Sequence, residues 1–227
     1  MCASPQHEGK LTSCGAFVKL LRAYVVKGRY PSLLLDLWDQ FNGERGSENV
    51  RPDGFQVSQM YAIIVLPNGG PDLEAYTFER SAKSGWKQAA SLFWQVARTL
   101  SRAEELVRFE HRDLHWGQIL VKNIAPVNLE RLPLGARNGR GKVTKAPMDH
   151  PSHGVKATII DLGLARMDAG DQDSSDPYWT PFDEEIFQGE GDYQFDVYRM
   201  MREHNGDHWE EFRPLTNVMV SPTLRPF

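Results

Sequence analysis

Apolar residues fall along this chain in blocks of different period, and the periods predict the elements. Phe17, Val18, Leu20, Leu21, Val25 and Val26 predict a short ordered element within residues 11–26, of a type that the spacing leaves open. Leu33, Leu34, Leu37, Trp38 and Phe41 recur at helical spacing after Pro31, whose fixed φ suits a first turn, so residues 30–41 are expected to form an amphipathic helix. A polar loop over residues 42–52 follows. The unbroken run Met60-Tyr61-Ala62-Ile63-Ile64-Val65-Leu66 stops at Pro67-Asn68-Gly69-Gly70, the pattern of a buried strand ended by a turn.

Residues 84–108 carry Trp86, Ala89, Ala90, Phe93, Val96, Ala97, Leu100, Ala103, Leu106 and Val107 at three-to-four spacing. A long helix is expected there, with this stripe, aromatics included, facing the core. Two short apolar runs, 118–121 and 157–160, predict strands. Between them, residues 123–156 are rich in Pro, Gly, Arg and Lys, which predicts a long surface insertion. After an acidic loop, helical periodicity resumes over 193–204.

Composition narrows the class. The 227 residues suffice for one domain, or for one large lobe with part of another. Hydrophobic residues at 41% and charged residues at 25% describe a globular chain, not a disordered one. A formal net charge of -4 argues against a broadly basic nucleic-acid surface and suits a basic peptide partner better. Cys2 and Cys14 alone make neither a disulfide framework nor a cysteine-rich zinc site. No eighteen-residue apolar run occurs, and residues 1–10 lack the pattern of a secretory signal, so an intracellular, soluble chain is expected.

The chemistry concentrates in two segments. Residues 109–120 read Phe-Glu-His-Arg-Asp-Leu-His-Trp-Gly-Gln-Ile-Leu, and residues 159–163 read Ile-Ile-Asp-Leu-Gly. Each sets a carboxylate beside a short apolar strand, and a helix precedes the first. Phosphoryl transfer needs one carboxylate to orient the incoming hydroxyl and another to hold magnesium against the phosphates. Asp113 fits the first role and Asp161 the second. A hard cation prefers oxygen, so the amide carbonyl of Gln118, five residues after Asp113, fits as a further ligand, one methylene longer than the asparagine usual there. Either Asp alone would serve equally to cap a turn at a strand end; the spacing of the two motifs favours the catalytic reading.

Residues 108–117 and the segment Gly-Glu-Gly-Asp-Tyr-Gln-Phe-Asp-Val-Tyr-Arg at 189–199 closely resemble the haspin family of serine/threonine protein kinases. Tyr30-Pro31, Leu33 to Leu35, Trp38, Arg51-Pro52-Asp53, Gly69-Gly70 and Asp72-Leu73-Glu74 resemble it too. The resemblance implies an α+β, protein-kinase-like fold without the usual Ala-Pro-Glu end to its activation segment. It further implies an incomplete N-terminal lobe over residues 1–66, a hinge at 67–70, and a mainly α-helical C-terminal lobe over 71–219 containing the insertion 123–156. Residues 220–227 diverge as a tail.

The cofactors it implies are ATP and Mg2+. The implied site comprises Asp113 and Arg112 for catalysis and Gln118 and Asp161 for the metal. Leu66, Pro67, Asn68, Gly69, Asp72 and Leu120 would line the nucleotide, and Asp72, Asp183, Glu184 and Glu185 the substrate. The implied partner is a basic histone N-terminal tail in mitotic chromatin, with a threonine as acceptor and a nuclear or chromosome-associated location. Neither a membrane nor direct nucleic-acid binding is indicated. Carboxylates facing a cleft would attract an Arg- and Lys-bearing peptide, although a solvated acidic loop explains Asp183, Glu184 and Glu185 equally well.

Before Tyr30 the chain shows no Gly-x-Gly-x-x-Gly loop and no Val-Ala-Ile-Lys strand, the parts that cradle phosphates and form the Lys–Glu pair of active kinases. A fragment lacking most of the N-lobe is therefore expected, with inefficient catalysis by itself. A catalytically inactive histone-tail binding module is the alternative, and a small-molecule phosphotransferase of the aminoglycoside or choline kinase type is a third class. Gly139-Arg140-Gly141-Lys142 is no P-loop, because Ala136 and Val143 stand where Gly and Ser or Thr are needed. His111 and His115, four apart without a neighbouring metal-site glutamate, are expected to be structural.

Overall fold

The computed structural model describes residues 11, 13–47, 49–54, 59–79, 81–125, 147–168 and 176–220. The chain divides into two units, residues 20–67 and residues 1–19 with 68–227. The Gly139 to Lys142 segment and most of the 123–156 insertion lie outside the described residues.

In the smaller unit, β1 (Arg22–Lys27) pairs antiparallel with β2 (Met60–Val65), in register from Arg22 opposite Val65 to Lys27 opposite Met60. The helix α1 (Ser32–Arg45) follows Pro31 as the spacing predicts and stops at Gly46, whose φ of 76° favours glycine. Arg51 clamps this helix to the following loop, gripping Asp39 through two 2.8 Å bonds and also pairing with Asp53. The expected burial of β2 does not hold. Met60 is 64% exposed and Ile64 63%, because a hairpin has two faces and α1 itself buries no residue.

The larger unit is organised on a second hairpin. β3 (Ile119–Asn123) and β4 (Val155–Ile159) pair antiparallel, with Ile119 opposite Ile159 and Val121 opposite Ala157. Period-two alternation sends Ile119, Val121, Val155, Ala157 and Ile159 into the core. Both edges are covered. The 16–18 segment bonds to Ile159, and Pro71 and Leu73 bond to Val121 and Ile119.

Helix α2 (Ala82–Val107) packs on β4, and Gln95 bonds the Val155 carbonyl at 3.1 Å and the Ala157 amide at 2.9 Å. Its buried face is Gln88, Ser91, Leu92, Val96, Thr99, Leu100, Ala103 and Val107. The expected aromatic core stripe is thereby corrected: Trp86 is 77% exposed, with Phe93 and Trp94 about half exposed. Two overlapping helical stripes compete, and the one holding Gln95 and Thr99 wins because those side chains satisfy backbone groups beside the sheet.

Beyond the hairpin lie α3 (Tyr193–Asn205) and the short α4 (Leu215–Met219). No helix among the described residues is long and apolar enough to cross a membrane.

Candidate active site

The site begins where α2 ends. Arg108, at φ 48°, reverses the chain, and Phe109 enters the core fully buried. Glu110 then exchanges two 2.8 Å backbone bonds with Arg166, which fixes the direction of the 110–118 loop. Arg112 is held at φ 67°, an uncommon backbone state for a side chain of its size.

Buried bonds hold that conformation. The side chains of Arg112 and Glu110 are both fully buried and pair at 3.0 Å. The Glu110 carboxylate also accepts from the Arg213 amide at 2.6 Å and the Thr216 hydroxyl at 2.8 Å. Arg112 donates to the Trp209 carbonyl at 2.7 Å and lies 5.6 Å from that residue's ring centroid. Asn217 completes the clamp, accepting from the His111 amide at 2.9 Å and donating to the Phe109 carbonyl at 2.9 Å. Arg112 thus points into the interior and holds the loop.

This inward turn leaves Asp113 half-buried, the next residue along. Its Oδ1 accepts from Gln194 Nε2 at 3.0 Å and from the Tyr198 hydroxyl, both on α3. Burial raises the Asp113 carboxyl above the usual carboxylate range, against the lowering effect of the Tyr198 hydrogen bond. The sequence segment that delivers Gln194 has a physical logic. A Cβ on Gly189 would lie 2.2 Å from the Phe195 ring, Gly191 has φ 89°, and Asp192 caps α3 by accepting from the Gln194 amide at 2.9 Å.

Asp161 follows β4, at φ 59°. Its Oδ1 accepts from the Gly163 amide at 3.1 Å, and its Oδ2 accepts from Gln118 Nε2 at 3.2 Å. The two proposed metal ligands are therefore neighbours, and a carboxylate beside an amide is an oxygen-bearing set that suits a hard cation. Rotating the amide presents its carbonyl in place of its NH2, so the extra methylene of Gln118 does not prevent the fit.

His111 sits beneath this pair, its Nε2 3.1 Å from the Ile160 carbonyl. Complete burial pushes the imidazole down to about 4, so it is neutral at physiological pH. The folded state thus binds this proton less readily than the unfolded chain, whose histidine titrates near ~6.5. Its contribution to stability is full above ~6.5 and is lost as pH falls towards 4, by up to about 3 kcal/mol. NMR should find the His111 ring resonances stationary from pH ~7.5 to ~5.5, whereas a midpoint near ~6.5 would contradict the buried site. His115 has a local role, its Nδ1 accepting from the Gly117 amide at 3.2 Å.

Asn68, Gly69, Asp72 and Leu120 come together at one edge of β3. A Cβ on Gly69 would lie 2.6 Å from Leu120 Cδ1, and one on Gly70 would lie 2.0 Å from the Val121 carbonyl, so both glycines permit a close backbone approach. Asp72 bridges Leu120 through its backbone, while its Oδ1 accepts from the Ala75 amide at 2.7 Å. Leu66 and Pro67 belong to the smaller unit, and both are exposed there.

Asp183, Glu184 and Glu185 are all exposed, at the entry to the short 3-10 turn Glu184–Gln188. Glu184 pairs with Arg202 at 3.2 Å, and Asp183 and Glu185 make no ion pair among the described residues. Aromatic contacts anchor the segment on both sides. Phe182 stands 4.6 Å from Trp209 and 5.7 Å from Tyr198, and Phe187 stands 5.8 Å from Phe182. The same Tyr198 bonds Asp113, so the acidic segment and the candidate base share one support.

Sequence reasoning passed over Glu110, Gln194, Tyr198, Trp209 and Thr216 as site residues. Gln194 and Tyr198 lay inside a recognised motif, which was the available signal. The partners of Glu110 stand about a hundred residues away in sequence, beyond any local pattern.

A family profile described as "Haspin like kinase domain" matches residues 6–224. Among curated proteins, the chain is 38% identical over 204 residues to the serine/threonine-protein kinase haspin of Mus musculus, covering 89% of this chain and 25% of that protein. It is 35% identical over 214 residues to the haspin homolog hrk1 of Schizosaccharomyces pombe, covering 89% of this chain and 42% of that one. With the Arabidopsis thaliana haspin homolog the identity is 34% over 212 residues, covering 91% of this chain and 32% of that protein. The chain therefore spans between a quarter and two-fifths of the length of these relatives.

Proposed function

Since this chain belongs to the haspin-like kinase family, we propose that it transfers the γ-phosphate of ATP to a threonine of a basic histone-tail peptide in the nucleus. The observation that carries this reading is the pairing of two carboxylate centres. Asp113 is held by one oxygen beside an acidic surface segment, and Asp161 is held next to Gln118.

Asp113 Oδ2 orients the acceptor hydroxyl and takes its proton as the oxygen bonds to phosphorus and ADP departs. Asp161 and Gln118 would hold magnesium, which would neutralise charge on the phosphate oxygens. Asn68, Gly69, Leu120 and Asp72 line the nucleotide, and Asp72 also contacts the substrate. Arg112 acts through the loop conformation that it fixes.

Asp183 and Glu185 attract the arginines and lysines of the peptide, with Glu184 partly engaged by Arg202. Their joint substitution, Asp183→Asn with Glu185→Gln, is expected to weaken binding of a histone-tail peptide about three- to tenfold at ~50 mM salt, and hardly at all at ~500 mM. Fluorescence anisotropy measures this, and equal affinity at low salt would exclude the segment from recognition.

The reading as a whole is tested by incubating the chain with ATP, magnesium and a threonine-bearing tail peptide, with amines and sugars as competing acceptors. Phosphothreonine in the peptide by mass spectrometry is the expected product. Transfer only to amines or sugars would overturn the proposal in favour of a small-molecule kinase, and salt-sensitive binding without turnover would favour a histone-tail binding module.

A further inference from the structure

The Asp113 carboxylate takes its side-chain hydrogen bonds from outside its own loop. Both of its side-chain donors come from one face of α3, where residues 194 and 198 stand one turn apart. Gln194 Nε2 donates to Asp113 Oδ1 at 3.0 Å and also to the Tyr198 oxygen, and the Tyr198 hydroxyl donates to the same Oδ1. The three groups form a closed ring in which each amide hydrogen and the hydroxyl hydrogen has one acceptor.

Two features suit this ring to orienting a base. Every donor lands on Oδ1, so Oδ2 has no protein partner among the described residues. Tyr198 is 3% exposed, and its phenol is pushed up by burial and by the Asp113 carboxylate, so it remains a donor through the physiological range.

We infer that Gln194 and Tyr198 are positioning residues for Asp113, fixing the plane of its carboxylate so that Oδ2 faces the acceptor hydroxyl. This inference rests on the reading of Asp113 as the base. Two donors on one oxygen remove rotation about the carboxylate axis, the freedom that would otherwise spread Oδ2 over unproductive directions. They also favour the ionised form that receives the proton. The other titratable groups acting on Asp113 are His115, which lowers its carboxyl pKa, and Asp161, which raises it.

Tyr198→Phe is the clean test, because it deletes only the hydroxyl and keeps the ring against Phe182 and Phe195. Gln194→Leu deletes the amide at similar volume. In turnover of the tail peptide, Tyr198→Phe should lower kcat by about 10- to 100-fold and leave KM within about twofold. The double variant should cost less than the product of the two singles, because the ring acts as a unit.

A second readout needs no turnover. The 13C resonance of the Asp113 carboxyl, assigned by its loss in Asp113→Asn, should titrate at a higher pH in Tyr198→Phe than in the unsubstituted chain, because the lost hydrogen bond favoured the ionised form. An unchanged titration midpoint, or an unchanged kcat, would overturn the inference. If the unsubstituted chain transfers no phosphate at all, the functional reading fails, and the carboxyl titration still decides whether Gln194 and Tyr198 hold Asp113.

Discussion

Asp113→Asn is expected to lower phosphate transfer to the tail peptide by about 100- to 10,000-fold, the range over which a positioned general base contributes. The substitution preserves shape and replaces a proton acceptor with an amide. The Tyr198 hydroxyl and Gln194 amide still find a carbonyl at Oδ1, so the loop should keep its place. Initial rates from labelled ATP, with thermal unfolding as a control for folding, measure the effect. Because the other carboxylate centre at Asp161 is untouched, nucleotide affinity should change little. Equal phosphate incorporation by both proteins would remove Asp113 from the chemistry. A parallel loss of peptide binding would move its role to recognition.

How much of this site was legible in the sequence depended on the range of the interactions. Asp113, Gln118 and Asp161 stand beside β3 and β4, whose short apolar runs mark them, so strand and carboxylate were read together. The extents of α1, α2 and α3 followed from helical spacing to within a few residues. Burial was less accessible. The β2 run looked like a core strand because local sequence counts apolar residues and cannot count the layers that cover them. On α2 the aromatic residues outshone the real core stripe, which includes Gln88, Ser91 and Thr99, polar residues buried because they find partners inside.

The support around Asp113 was illegible for a different reason. Gln194 and Tyr198 are more than eighty positions from Asp113, and they meet it only after α3 docks against the loop. The motif containing them could be recognised without revealing what it holds. Its glycines, by contrast, have local meaning. Gly189 makes room for the Phe195 ring, and Gly191 takes a positive φ just before the capping aspartate, so the motif encodes the start of a helix as well as a donor pair.

The largest loss of stability is expected from Glu110→Ala. This carboxylate is fully buried and serves Arg112, the Arg213 amide and the Thr216 hydroxyl at once. Removing it strands a guanidinium that is itself fully buried, and breaking such a pair costs about 3–5 kcal/mol. For a chain of this size that corresponds to a fall in Tm of roughly 10 °C. Urea unfolding measures the free energy directly.

The companion variant, Arg112→Met with Glu110→Leu, should be less destabilised than Glu110→Ala, because neither charge then remains alone in the interior. If the single substitution costs under ~1 kcal/mol, the loop draws its rigidity from elsewhere. The comparison also separates stability from function. The paired apolar variant loses the bonds that hold Arg112 at φ 67°, and Asp113 is the next residue along. Its kcat should therefore fall even at temperatures where the protein remains folded, showing that the buried pair serves the direction of the Asp113 carboxylate as well as the interior that surrounds it.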